Sequence, residues 1–287
     1  MNINRYSIII LLAAVAPWAY ADLPRPLDVV ALDFEPRVDG DLAEWQGLKP
    51  YLISISPAIE NDSKNRTGTI QVELRVGIHG DRLQVAARWP DDAPDTDFRP
   101  WQWRNNKYRR SKVRDDMFAL RFAMAGDYNR SMIADADYVV DVWVWSAGRS
   151  NKIGKATDYK HTISLDWIEN VAEYTTDAGN TVYIDRDKDE GNIGYRRFKP
   201  GKEKTASRIP SIETDEPATG SIADVTATGR WRDGHWELEM QRLLDTGHAD
   251  DARLFGGLEI LGQIAVFNKA GSKHKSISEP LLFRIAD

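Results

Sequence analysis

No cysteine occurs in the chain, and that absence alone removes a group of functions. Disulfides, thiolate-bound zinc, iron–sulfur clusters and the Cys-x-x-Cys-His attachment of c-type haem all need it. Any bound cofactor must be held by nitrogen, oxygen or thioether donors. Histidine is sparse as well: His79, His161, His235, His248 and His274 are scattered, and no His-Glu-x-x-His helix exists. There is no Gly-x-Ser-x-Gly elbow and no glycine-rich phosphate loop. Hydrolytic metal catalysis therefore has little to stand on. Helical periodicity is nearly missing too, confined to short stretches at 42–46 and around 164–174.

Long apolar runs are equally rare. The one at the N-terminus, from Ile8 to Ala16, lies between Arg5 and the segment Pro17 to Ala21, which ends in Ala19-Tyr20-Ala21. A short apolar segment with a positive flank and a small-x-small exit is the pattern of a cleavable secretory signal. It falls short of the about 20 residues that a bilayer span needs. Residues 1–21 are thus expected to be a signal peptide, and 22–287 a single periplasmic domain with no membrane span. Losing Arg5 would move the net charge from −6 to −7. An acidic exported chain is poorly suited to nucleic acid or to anionic membranes.

What is present is β pattern. Ile70, Val72, Leu74, Val76 and Ile78 alternate with polar residues or glycine, as do Leu83, Val85, Ala87 and Trp89 after the turn at His79-Gly80-Asp81-Arg82. Further strands are expected at 117–124, 138–145, 224–231, 235–241, 259–267 and 281–285. Asp233-Gly234 between the fifth and sixth of these eight is a hairpin signal. The spacing predicts an all-β fold: a β-sandwich, immunoglobulin-like or carbohydrate-binding-module-like, with Greek-key connections and few short helices. The stretch 147–222 fits least and is expected to be a long loop insertion.

The acidic run from Asp185 to Glu190 alternates carboxylates like a calcium loop. It places Glu190 where an EF-hand needs glycine and Arg196 where it needs a bidentate glutamate. A solvated turn is the better reading. The more telling residues are aromatic and thioether. Trp101 with Trp103, and Trp143 with Trp145, are i, i+2 pairs that share a strand face. Met132 precedes the second pair, and Lys273-His274-Lys275 follows a fully apolar strand. Methionine, histidine and a neutral lysine can all ligate haem iron, the lysine only if desolvation strips its proton.

In order along the chain, several segments resemble the haem-binding gamma-subunit domain of ethylbenzene dehydrogenase and related dimethyl sulfoxide reductase-type enzymes. They are Val38-Asp39-Gly40-Asp41-Leu42-Ala43-Glu44-Trp45, the stretch from Val85 to Asp92, Asp115 to Leu120, Asp141 to Arg149, Gly229 to Trp236, Gln241 to Gly247, Ile264 to Phe267 and Lys275 to Ser278. The resemblance implies a β-sandwich holding one non-covalent haem b between its sheets. It implies iron ligated by a methionine before the Trp-x-Trp strand and a lysine near the C-terminus, here Met132 and Lys275. Met124 is a fallback for the first, because the segment after Met132 departs from the family pattern. His274 is a rival for the second, since neighbours on an extended segment point opposite ways and a histidine need not lose a proton. Trp143 and Trp145 would be slot walls, and Arg230 or Arg242 propionate partners.

Two functions of different classes follow. The first is a periplasmic electron carrier or subunit, not itself an enzyme, relaying electrons between molybdenum oxidoreductase subunits or a c-type cytochrome and another carrier. The second is sugar binding, because the opening at 38–45 is also similar to family-nine carbohydrate-binding modules. There Trp101 and Trp103 would stack on a sugar, with Asp95 and Asp97 hydrogen-bonding its hydroxyls. The first requires the methionine and the C-terminal ligand to converge on one internal slot.

Overall fold

A computed structural model describes residues 24–271 and 273–287, so the signal peptide expected at 1–21 lies outside the described residues. The strands are β1 (Arg25–Ala31), β2 (Tyr51–Pro57), β3 (Ile70–His79), β4 (Arg82–Pro90), β5 (Trp101–Arg104), β6 (Lys107–Arg110), β7 (Met117–Gly126), β8 (Tyr138–Ser146), β9 (Thr157–Ser164) and β10 (Ala172–Thr175). They continue as β11 (Thr181–Lys188), β12 (Tyr195–Arg197), β13 (Arg208–Ile209), β14 (Ile212–Thr214), β15 (Thr226–Arg232), β16 (His235–Leu243), β17 (Glu259–Phe267), β18 (Ser276–Ser278) and β19 (Leu281–Ile285). The helical pattern at 42–46 becomes one 3-10 turn, Glu44–Gly47, whose Trp45 is buried and donates to Glu239 at 2.8 Å. No helix among the described residues is long and apolar enough to cross a membrane.

Fourteen strands form one sheet that folds over on itself into a sandwich. One arm runs β17-β7-β8-β9-β11-β10, the other β2-β3-β4-β16-β15, and β18, β19 and β1 link them. The Asp233-Gly234 hairpin forms as its residues dictate. Asp233 (φ 50°) and Gly234 (φ 77°) both take the left-handed backbone that a tight two-residue turn demands.

Between the arms lies a core of bulky side chains, one from every second position of each strand. Phe118, Leu120 and Phe122 of β7 and Trp143 and Trp145 of β8 face Trp89 of β4 and Trp236 of β16. The rings meet edge-on or stacked, with centroids 5.0 Å apart for Trp145 and Trp236 and 5.3 Å for Trp89 and Phe118. Gly229 of β15 has no side chain for a reason: a Cβ there would lie 2.4 Å from the Trp145 ring.

The stretch 147–222, read as a loop insertion, carries six strands, β9 to β14. Its strands β9, β11 and β10 widen the first arm beyond β8 by antiparallel pairing. Helix around 164–174 is corrected to a connection and the strand β10, with Asn170 turning the chain at φ 61°. The acidic run at 185–190 is no solvated turn either. Its first four residues end β11, and Asp189 is buried. Charged residues interrupt the apolar alternation of these strands, which hid them from a reading by period.

Candidate cofactor site

The outer face of the first arm carries a second, smaller set of apolar side chains. Period two places Met117, Ala119 and Arg121 of β7, Val142 and Val144 of β8, Tyr159 and His161 of β9, Ile184 and Arg186 of β11, and Ala265 and Phe267 of β17 on that face. The register sets Ala265 beside Ala119 and Ala119 beside Val144. Small side chains in adjacent strands leave a trough, roofed by the β7–β8 and β17–β18 connections. The result is a cavity of about 410 Å³, within the range of small-molecule and cofactor sites.

Met132 and Lys275 both line this cavity, Met132 from the β7–β8 connection and Lys275 from the residue before β18. The loop that presents Met132 is tied down from below. Arg121 donates to the carbonyls of Asn129 (2.7 Å) and Arg130 (2.9 Å), and the Tyr138 hydroxyl donates to Ser131 O (3.0 Å). Lys275 is held by its own carbonyl, which accepts the Ala58 amide at 2.9 Å, and its ammonium lies 5.8 Å from the Phe267 ring. His274 points elsewhere: its Nδ1 lies 2.8 Å from Asp62 Oδ2 in a part-buried pair outside the cavity lining. The alternation expected of adjacent residues therefore puts Lys275, and not His274, in the cavity. Met124, the fallback, packs partly buried against the core between the arms.

Several expected contributors do not line the cavity, and each is a correction. Trp143 and Trp145 share a face as predicted, but it is the inner one; both are fully buried in the sandwich core. The two faces of β8 are both apolar, so bulk decides: large rings fill the wide space between the arms. Arg242 is buried on the inner side, 2.6 Å from Asp141 and 3.3 Å from Asp251. Arg230 is exposed on β15, in the opposite arm. The cavity that Met132 and Lys275 line lies on the outer face of the first arm.

The residues set aside for sugar stacking are also committed within the protein. Trp101 donates from Nε1 to Phe198 O at 2.8 Å, and Trp103 packs edge-on against Tyr108. Asp95 accepts from Lys269 at 2.6 Å, and Asp97 pairs with Arg208.

The cavity's electrostatics are one-sided. Arg121, Arg130, Arg149, Arg186, Lys273 and Lys275 line it, and no carboxylate does. Burial, reinforced by Arg121 and Arg186, pushes the Lys275 ammonium down to about 8. Burial with the same two arginines and Lys275 pushes His161 down to about 3, so it is neutral at physiological pH. The Nδ1 of His161 is buried and makes no hydrogen bond. His161, Arg186, Tyr159 and Arg121 escaped the sequence reading. The first three sit in the stretch taken for loop, where Tyr159, His161 and Ile163 do alternate. An apolar trough with cationic edges, a thioether and a readily deprotonated amine suits a flat, apolar, edge-anionic metal complex. These features fit haem: apolar floor for the ring, basic residues for two propionates, sulfur and nitrogen donors for iron.

The family model for ethylbenzene dehydrogenase matches residues 43–278. The chain belongs to that family. No curated protein is significantly similar to it in sequence. Among solved structures, a candidate carbohydrate-binding protein from Bacteroides uniformis ATCC 8492 superimposes with a TM-score of 0.42 at 9% identity, covering 90% of this chain and 91% of its own. A carbohydrate binding module family 9 protein from Caldicellulosiruptor kristjanssonii, in complex with glucose, gives 0.40 at 8% identity, covering 91% and 95%.

Proposed function

We propose that the protein is a periplasmic electron-transfer subunit or carrier that holds one non-covalent haem b in the outer-face cavity, with Met132 and Lys275 as the iron ligands. The observation that carries this reading is the convergence of those two side chains on one cavity, from connections far apart in the sequence. When bound, the group would supply one-electron ferric–ferrous chemistry. A thioether ligand favours the ferrous state and raises the potential.

The chain's own residues would do the rest. Lys275 gives up its proton, at a cost its surroundings have already reduced. Arg121 anchors the backbone of the loop that presents Met132. Arg186 and Lys273 stand at the rim against Tyr174, at 5.4 and 5.1 Å from its ring, in position for the propionates. The apolar floor excludes water and so limits the reorganisation that slows electron transfer. No step of substrate chemistry is assigned to the chain. Molybdenum oxidoreductase subunits or a c-type cytochrome are its proposed partners.

The test is an absorption spectrum of the exported protein, oxidised and then dithionite-reduced, with pyridine haemochrome analysis. A Soret band with sharp reduced bands of b type supports the reading. A protein that shows neither, and stays unchanged on adding hemin, contradicts it.

A further inference from the structure

One lobe of this acidic protein is strongly basic. Residues 98–114 hold seven arginines and lysines and no carboxylate, and residues 195–209 hold six against Glu203 alone, in a chain whose net charge is −6. The two segments fold together. The β5–β6 hairpin pairs with β13, Tyr108 donates its hydroxyl to Ala206 O at 2.8 Å, and the Trp103 amide donates to Ser207 O at 2.9 Å. Within them, only Arg196 (with Glu213 and Asp215) and Arg208 (with Asp97) form ion pairs among the described residues. Arg104, Lys107 and Arg109 at the hairpin tip are exposed.

The inner edge of the lobe is under like-charge pressure. Three guanidiniums surround the Phe98 ring, Arg149 at 4.4 Å, Arg114 at 5.5 Å and Arg110 at 5.9 Å. Burial and then neighbouring arginines hold Arg110 and Arg114 below the ordinary arginine value. Arg110 also keeps two buried nitrogens, Nε and one terminal nitrogen, without a hydrogen-bond partner. Arg149 belongs to both places, since it lines the cavity as well. The basic lobe therefore begins at the rim of the cofactor site.

We propose that this lobe is the docking surface for an acidic redox protein, which it seats beside the cavity edge. The purpose assigned to the contact rests on the haem reading; the contact itself does not. An acidic protein is favoured over other polyanions by the charge layout. A compact partner can touch the lobe alone, whereas a long duplex or a membrane would also meet the strongly acidic remainder of the surface. Complementary charge of this kind speeds encounter and orients it.

The test uses the mature chain, with and without added hemin, and two immobilised probes: the acidic soluble domain of cytochrome b5 and the basic cytochrome c. Binding is followed by interferometry from about 20 to 300 mM ionic strength, where screening lengths shrink from ~20 to ~6 Å. The proposal predicts that the acidic probe binds at low salt although both proteins are net negative. It also predicts at least about a tenfold loss in the Arg104→Glu/Lys107→Glu/Arg109→Glu variant, whose circular dichroism stays native. No binding of the acidic probe at low salt, or equal binding by the variant, overturns it. So does tighter binding to duplex DNA or to phosphatidylglycerol vesicles than to the acidic protein. Salt-dependent self-association lost in the variant would mean that the lobe's partner is a second copy, and also overturns it. The hemin arm separates the two ideas. Absent Soret change with intact acidic-probe binding removes the haem and leaves the docking, and the converse leaves the haem.

Discussion

At the scale of single residues, Lys275 decides most. Its ammonium cannot bind iron, and its burial, reinforced by Arg121 and Arg186, makes the neutral form accessible near pH 8. Binding through its nitrogen releases a proton whenever the free site is protonated, which is the case below about pH 8. Hemin affinity of the apo-protein is therefore expected to fall toward tenfold per unit as the pH drops from 8 to 6, and to flatten above 8. A titration that shows pH-independent affinity across this window would remove Lys275 from the iron. His274→Ala should leave the curve in place, because that ring faces Asp62. Residue type and position make Met132 and the Lys273-His274-Lys275 run candidates, resemblance to a family pairs Met132 with Lys275, and the choice between Lys275 and His274 needed the fold.

At the scale of elements, alternation was readable and polarity of the faces was not. The i, i+2 spacing correctly joins Trp143 to Trp145, yet β7 and β8 are apolar on both sides, and period two alone cannot say which side is core. Volume settles it, with Phe118, Leu120, Phe122 and the tryptophans inward and Met117, Ala119, Val142 and Val144 outward. The strands β9 to β11 were missed because Asp185, Asp187 and Lys188 dilute the pattern around Ile184 and because His161 and Arg186 occupy positions that an apolar face would fill. Those polar interruptions are the cavity wall, so the local rule failed where the site is. Ala119, 8% exposed and beside Ala265, offers a direct check. Ala119→Leu adds volume to an open trough, so chemical denaturation of the apo-protein should shift by less than about 1.5 kcal/mol, while hemin affinity should fall at least about tenfold. Retained affinity would place the ligand elsewhere.

At the scale of the whole molecule, the sandwich and eight of its nineteen described strands, the β3–β4 and β15–β16 hairpins among them, follow from the sequence, whereas the distribution of charge does not follow from its sum. A net charge of −6 conceals a basic lobe and a basic cavity, balanced by carboxylates elsewhere, several of them buried. Burial, with Asp91 as neighbour, pushes Asp116 up to about 7, and burial pushes Asp91 to about 6. Burial and nearby aspartates raise Asp189 to about 7. In the folded protein these groups hold protons that the unfolded chain releases above about pH 4. Their stabilisation is complete below that value and is lost as the pH rises through 6 to 7. His161 acts the other way, destabilising the fold as the pH falls below about 6.5, but it is one group against three. The apo-protein should thus melt a few degrees higher at pH 5 than at pH 8. A melting temperature that rises steadily from pH 5 to pH 8 would show that these carboxylates are ionised in the fold.

The central claim is that Met132 and Lys275 meet at one iron in the outer-face cavity. The direct measurement is a hemin titration of the apo-protein and of the Met132→Ala and Lys275→Ala variants, followed by absorption and magnetic circular dichroism. The account predicts a six-coordinate low-spin spectrum for the unaltered protein, with a thioether signature lost only in Met132→Ala and the amine signature lost only in Lys275→Ala. Unchanged spectra in both variants, or hemin that stays as it is in buffer, would contradict it.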